Sequence, residues 1–230
     1  VLGGAAGTWW ASGPLPGSVV VIGSETWMYF GGIDGGGVMH IGRMVSQDLG
    51  ATWTVDSTPV LNSTAATWDS ALVDQPSVFF DGSTFHMWYM GASTIDQFRI
   101  GYASSPDGIT WTKYASNPVL ANSVSGWDNW NVGWSAVTKA GSTFYMLYAG
   151  RTSTSALKQI GLATSSDGMA WTKSVSNPVI ARNAIAAASF ELVPGDLFVV
   201  NSTFTLLWMC ASGASAYDSC ISTSTNAVSW

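Results

Sequence analysis

The chain has 230 residues, of which 10% are charged and 47% apolar, with 13 tryptophans and a formal net charge of −6. It therefore lacks the clustered Lys and Arg that nucleic acid or an anionic membrane face requires, and no apolar run reaches the ~18 residues of a membrane span. With two histidines a His-rich metal centre is excluded, so neither a metal nor a cofactor is expected.

Taken in chain order, the first strands are predicted at Val19–Ile22 and Trp27–Phe30, around a turn at Gly23-Ser24. Ile41-Gly42 follows, then the polar turn Ser46-Gln-Asp-Leu-Gly-Ala-Thr-Trp53, then Pro59-Val-Leu61. The second set runs Pro76–Phe80, a turn at Asp81-Gly-Ser83, Thr84–Met90 ending at Gly91, Arg99–Ser104, the turn Ser105-Pro-Asp-Gly-Ile-Thr-Trp111, and Asn117-Pro-Val-Leu120. The third has Ser135–Thr138, Thr143–Ala149, Gln159–Ser165, a turn closing at Trp171, and Asn177-Pro-Val-Ile180. The fourth has Leu197–Val200, Phe204–Met209 and a degenerate turn ending at Trp230. These are β-branched and aromatic runs punctuated by Gly, Asn and Asp, with no stretch of helical period.

Trp53, Trp111, Trp171 and Trp230 recur 58, 60 and 59 residues apart. A strand-rich repeat of this length is one blade of a β-propeller, because a single four-stranded sheet cannot bury both faces unless neighbours stack on it. The expectation is one all-β domain over 1–230, with repeats near 1–59, 60–118, 119–178 and 179–230. Val1-Leu2 is in phase with Val60-Leu61, and Trp9 with Trp68. Either both termini close the ring of four blades, a fifth blade comes from further sequence, or a neighbouring copy donates the completing strand.

Each polar turn has a physical reason. An Asp or Ser side chain accepts from backbone N–H groups two or three residues on, and Gly takes positive φ. Ser46-x-Asp48-x-Gly50-x-x-Trp53 matches the Asp box of sialidase-like propellers. Asp74–Val78, Met87–Gly91, Ile100–Ser105, Asp107–Lys113 and Asn117–Leu120 together resemble blades of five-bladed glycoside hydrolases. The families meant are the arabinanase/xylosidase group, the fructosidases and the mannoside phosphorylases. The resemblance covers nearly the whole chain and is one of scaffold, which does not carry function with it.

The families of that resemblance place an acid and a base near the starts of innermost strands. Inverting hydrolysis needs two carboxyls roughly 6.5–9.5 Å apart. Asp74 is the one carboxyl at its level, where the other repeats have Leu15, Gly133 and about Val193; Glu191, beside Phe190, is the plausible second. Asp74 and Glu191 are thus the candidate catalytic pair. Asp69 and Asp128 follow Trp68 and Trp127 and suit loop caps. Trp10, Trp130 and Trp134, with Asn131 and Asp128, form a candidate glycan surface, since indole faces stack on sugar C–H groups and amides or carboxyls take hydroxyls. Trp9, Trp68 and Trp127, one per repeat, are expected to pack between sheets. Cys210 and Cys220 suit a disulfide across adjacent strands or two packed thiols. Asn62-Ser-Thr64 and Asn201-Ser-Thr203 are N-glycosylation acceptors.

The missing acids favour a secreted, extracellular propeller without catalysis, structural or interacting, with carbohydrate or copies of itself as partners and neither nucleic acid nor membrane insertion. The alternative is a glycosidase or glycoside phosphorylase working through a carboxylate pair at the propeller tunnel.

Overall fold

A computed structural model describes residues 3–94, 97–181, 191–213 and 216–230, with the side chains of 210–213 and 216–218 outside the description. Val1, Leu2 and Phe190 also lie outside it. The described residues form fifteen strands and no helix.

Two compact units divide the chain, Val1–Pro118 and Val119–Trp230. The first holds two antiparallel meanders. One is β1 (Pro14–Ile22), β2 (Glu25–Ile33), β3 (Met39–Ser46) and β4 (Thr54–Val55); the other is β5 (Leu72–Phe80), β6 (Phe85–Ala92), β7 (Arg99–Ser105) and β8 (Thr112–Lys113). The second unit repeats the plan with β9 (Asn131–Ala140), β10 (Thr143–Arg151), β11 (Gln159–Ser165) and β12 (Thr172–Lys173), followed by β13 (Val193–Val200), β14 (Thr203–Gly213) and β15 (Ala216–Ser224). Four sheets stand where four blades were predicted.

Within the first unit, Tyr29 and Ile41 of one sheet pack on Val73, Val78, Phe85, Met87 and Tyr89 of the next. Ser18 stitches the sheets by exchanging hydrogen bonds with the Val78 N–H and carbonyl at 3.0 and 3.3 Å. In the second unit Leu147, Ile160 and Leu162 meet Leu197, Phe204 and Leu206. The recurring Ile-Gly and Pro-Val-Leu landmarks join each other: Ile41 and Leu61 form an isolated antiparallel bridge, as do Ile160 and Ile180.

The recurrent tryptophans explain two recurrent glycines. A Cβ on Gly91 or Gly101 would stand 2.7 Å from the Trp68 ring, and one on Gly150 or Gly161 would meet Trp127 at 2.9 and 2.5 Å. Trp9 lies against Gly32 and Gly42 in the same way. Each of the first three blades thus keeps a flat glycine slot for one indole.

The polar turns form as expected. Asp107 Oδ1 accepts from the N–H groups of Ile109 and Thr110 at 2.8 and 2.7 Å, and the Trp111 Nε1–H donates to the Gly108 carbonyl at 3.2 Å. Asp167 does the same for Met169 and Ala170. In the degenerate turn Asn226 Oδ1 takes over, accepting from Val228 and Ser229 at 2.9 Å.

Candidate active site

In every blade the first strand slips register at one level. The slip lies between Pro16 and Ser18 in β1, Asp74 and Ser77 in β5, Pro194 and Asp196 in β13, and opposite Leu147 and Ala149 in β9. The last residues paired before it are Pro16, Asp74, Gly133 and Pro194, opposite Phe30, Met90, Ala149 and Trp208; Leu15 and Val193, the repeat counterparts of Asp74, pair one step earlier with Gly31 and Met209. A bulge bends its strand and re-aims one side chain. Gln75 and Trp134, the residues next in line in β5 and β9, have φ of 52° and 50°. For residues with a Cβ that conformation costs about 1–3 kcal/mol and persists where the surroundings over-determine it.

Asp74, at this bulge in the first unit, is 4% exposed. Its Oδ1 has no hydrogen-bond partner. Burial raises its pKa, against the pull of hydrogen bonds from the Gln75 backbone and side chain. The carboxyl lies against the bare backbone of Gly31: a Cβ there would overlap Oδ1 and sit 3.0 Å from Cγ. A carboxyl kept out of water and holding its proton upward of the usual range is equipped to donate that proton.

In the second unit Lys158, 8% exposed, places its Nζ 2.6 Å from Glu191 Oε2 and 4.2 Å from the centre of the Trp134 ring. Glu191 therefore meets an ammonium. Asn131 is fully buried and pairs with Arg151 at the start of β9. Trp130 is 37% exposed, and its backbone N–H donates to the Arg151 carbonyl at 3.0 Å. Trp10 belongs to the first unit and is half-buried, its Cβ 3.0 Å from the place of a Cβ on Gly32.

Asp128, expected among the sugar contacts, is engaged otherwise. It is 1% exposed, accepts from the Tyr148 hydroxyl at 3.0 Å and from Lys173 Nζ at 2.6 Å on Oδ2, and so is committed to its own blade. Asn177 Nδ2 donates to the same hydroxyl at 3.2 Å. The first unit repeats the network with Asp69, Tyr89, Lys113 and Asn117. Burial is the first cause, and the neighbouring carboxylate the second, that pushes the Tyr89 and Tyr148 hydroxyls well above the usual tyrosine range. Sequence reasoning missed these lysines and asparagines, although Trp-Thr-Lys and Asn-Pro-Val recur at fixed distance from Trp-Asp. It missed Lys158 as well, which no repeated motif marks.

Asn62 is exposed, and its Oδ1 lies 2.8 Å from His40 Nδ1; Asn201 occupies the β13–β14 turn with φ 49°. Among the described residues no group of three or more His, Cys, Asp or Glu could hold a metal ion.

Residues 40–230 match the family described as β-1,4-mannooligosaccharide phosphorylase, glycoside hydrolase family 130. The chain belongs to this family. A β-1,2-mannobiose phosphorylase of Thermoanaerobacter sp. (strain X514) is 28% identical over 96 residues, covering 36% of the chain and 31% of that protein. The chain thus spans under a third of the curated relative it matches. Among solved structures, a glycoside hydrolase superposes with a TM-score of 0.78 at 19% identity, over 97% of this chain and 72% of the other. The β-1,2-mannobiose phosphorylase from Listeria innocua, in complex with β-1,2-mannobiose, superposes with a TM-score of 0.72 at 14% identity, over 96% and 60%. At these identities the likeness shows the fold, a β-propeller. Membership in family 130 overturns the expectation of a propeller without catalysis. That expectation counted carboxylates at one level and took their scarcity for inactivity.

Proposed function

We propose that the chain cleaves a β-mannoside by phosphorolysis, with Asp74 as general acid. The observation that carries this reading is the buried Asp74 carboxyl, with Oδ1 unpartnered and its pKa raised by burial. Phosphorolysis also accounts for Asp74 being, among the described residues, the one buried carboxyl beside a bulge, Asp196 after the β13 slip being exposed. Water needs a base to become a nucleophile, and an inverting hydrolase supplies a second carboxylate for that purpose. Inorganic phosphate arrives as an anion and needs none. A phosphate oxygen attacks the anomeric carbon from the face opposite the leaving sugar, the glycosidic C–O bond breaks, and the Asp74 proton goes to the departing oxygen. The products are an α-mannosyl phosphate and a shortened sugar.

Carbohydrate is then the partner, with Trp130, 37% exposed, as an indole available to a sugar ring. A Cys210–Cys220 disulfide and an extracellular location belong to the same proposal. The disulfide is supported by the lack of a free cysteine among the described residues; the β14–β15 register pairs Cys210 with Asp218 and Cys220 with Trp208, so the two cysteines stand two positions apart on adjacent strands rather than directly opposite.

The test is incubation of the full chain with β-1,2- or β-1,4-mannobiose, with and without phosphate, followed by phosphorus NMR. Mannosyl phosphate is expected only with phosphate present, and Asp74→Asn is expected to lose about 10²–10⁴-fold in rate. Phosphate-independent release of mannose would replace phosphorolysis by hydrolysis. Full activity in Asp74→Asn would remove Asp74 from the reaction.

A further inference from the structure

We propose that Gly31 and Gln75 are positioning residues for Asp74: Gly31 provides the slot that receives the carboxyl, and Gln75 holds the carboxyl there from the bulge. This inference rests on Asp74 being the proton donor proposed above.

Three observations converge on it. Gly31 sits in β2, opposite Leu15 and on the neighbouring sheet, and the Asp74 carboxyl fills the place where its side chain would be. Its backbone is not in the left-handed region, so only space makes glycine necessary at this position. Gln75 adopts φ 52° immediately after Asp74, and its backbone and side chain pull the carboxyl's pKa down against the burial that raises it. One oxygen, Oδ1, is left without a partner in a buried place. A buried acceptor without a partner destabilises the fold, and a substrate hydroxyl or the carboxyl's own proton can relieve it.

Among the described strands packed on β5, no other ionisable side chain is free for the role. Among the strands packed on β5, β1 carries no ionisable side chain. Strand β2 carries Glu25 and Tyr29, β3 carries His40 and Arg43, and β6 carries His86 and Tyr89. Glu25 bonds to Trp27 and Gln47, Tyr29 to Gly108, His40 to Asp34 and Asn62, Arg43 to Asp56, His86 to Asp81 and Tyr102, and Tyr89 to Asp69. Burial raises the Asp74 proton affinity and Gln75 lowers it.

The two residues pull in opposite directions, and that makes the idea testable. A general acid works protonated, so activity is lost as pH rises through its pKa. Gln75→Gly keeps the left-handed bulge, which glycine adopts freely, and removes a hydrogen bond that favours the carboxylate. The alkaline limb of kcat is then expected to move up by about half a pH unit or more. Gly31→Ala expels the carboxyl toward water. The limb is expected to move down, with kcat falling about 10²-fold and KM changing less than threefold. Gly35→Ala, where nothing lies within 4 Å of the added methyl, is the control and leaves both parameters unchanged.

Limbs that stay put, or that move the same way in both variants, overturn the proposal, since general destabilisation cannot produce opposite shifts. If Gly31→Ala fails to fold, an unmoved limb in Gln75→Gly decides against it alone. Wild-type chain without mannoside turnover would fail the proposed function instead. The positioning would then be read by carbon NMR titration of the Asp74 carboxyl, assigned with Asp74→Asn, where the same opposite shifts are expected and their absence refutes it.

Discussion

Lys113 and Lys173 each reach back some 45 residues to a buried aspartate, Asp69 or Asp128, at 2.6 Å, and each also caps a backbone carbonyl, that of Asn62 or Ala121. Removing one partner of such a pair leaves a carboxylate in a place that water cannot reach. Lys173→Met is therefore expected to lower stability by about 3 kcal/mol, measured by urea denaturation, while mannoside KM stays within twofold. A large rise in KM with unchanged stability would return Asp128 to the sugar contacts. At this scale the sequence was partly legible. Asp74 stood out because its counterparts Leu15, Gly133 and Val193 cannot ionise. Gln75 did not, because a glutamine in the left-handed region leaves no mark in composition or spacing. Lys158 did not, because its partners Glu191 and Trp134 lie far away in the chain and no period connects them.

The polar turns make the acid sensitivity of the blades predictable. Hydrogen bonds from Thr52 and Ser46 hold Asp48 at a pKa of about 2, and those from the Thr110 and Ile109 N–H groups do the same for Asp107. Each folded value lies below the unfolded one, near 3.9. The stabilisation is thus complete above about pH 4 and is lost as pH falls toward 2. Asp107→Asn is expected to cost under ~1 kcal/mol at pH 7, because the Asn226 amide already makes equivalent bonds in the last blade. It is also expected to flatten the acid limb of a pH–stability curve, and a steeper limb in the variant would contradict this. The strands themselves were legible from aromatic and β-branched runs between Gly and Asp turns. Their first halves were not. Strand β9 starts at Asn131 and β1 at Pro14, earlier than the predicted Ser135 and Val19. The bulge resets the alternation of buried and exposed residues there, and a period-two pattern breaks at that point.

For the whole molecule, low charge and exposed apolar residues act together. Val21 is 67% exposed in the first unit and Ile221 69% in the second, while the isoelectric point is about 4.5. Between pH 7 and 4.5 the net charge of −6 falls away and with it the repulsion between copies. Light scattering at fixed concentration is expected to rise steadily over that interval and to fall again at pH 8. Scattering independent of pH would show that charge does not hold copies apart. At this scale the blade count followed from the period of the tryptophans, whereas the reaction class did not, because scarce carboxylates read as inactivity only when water is assumed to be the nucleophile. The repeated bulge has a consequence for descent. Four first strands present four counterpart positions beside a register slip, and only one of them, Asp74, is an acid. A scaffold copied in this way can inherit a reactive group in one copy and let the other three drift to leucine, glycine or valine without disturbing the frame. The acid could have settled in any of them. Relocating it by exchanging Gly133 or Val193 for aspartate would ask how much of the chemistry belongs to the seat and how much to the neighbours that one lineage happened to gather around it.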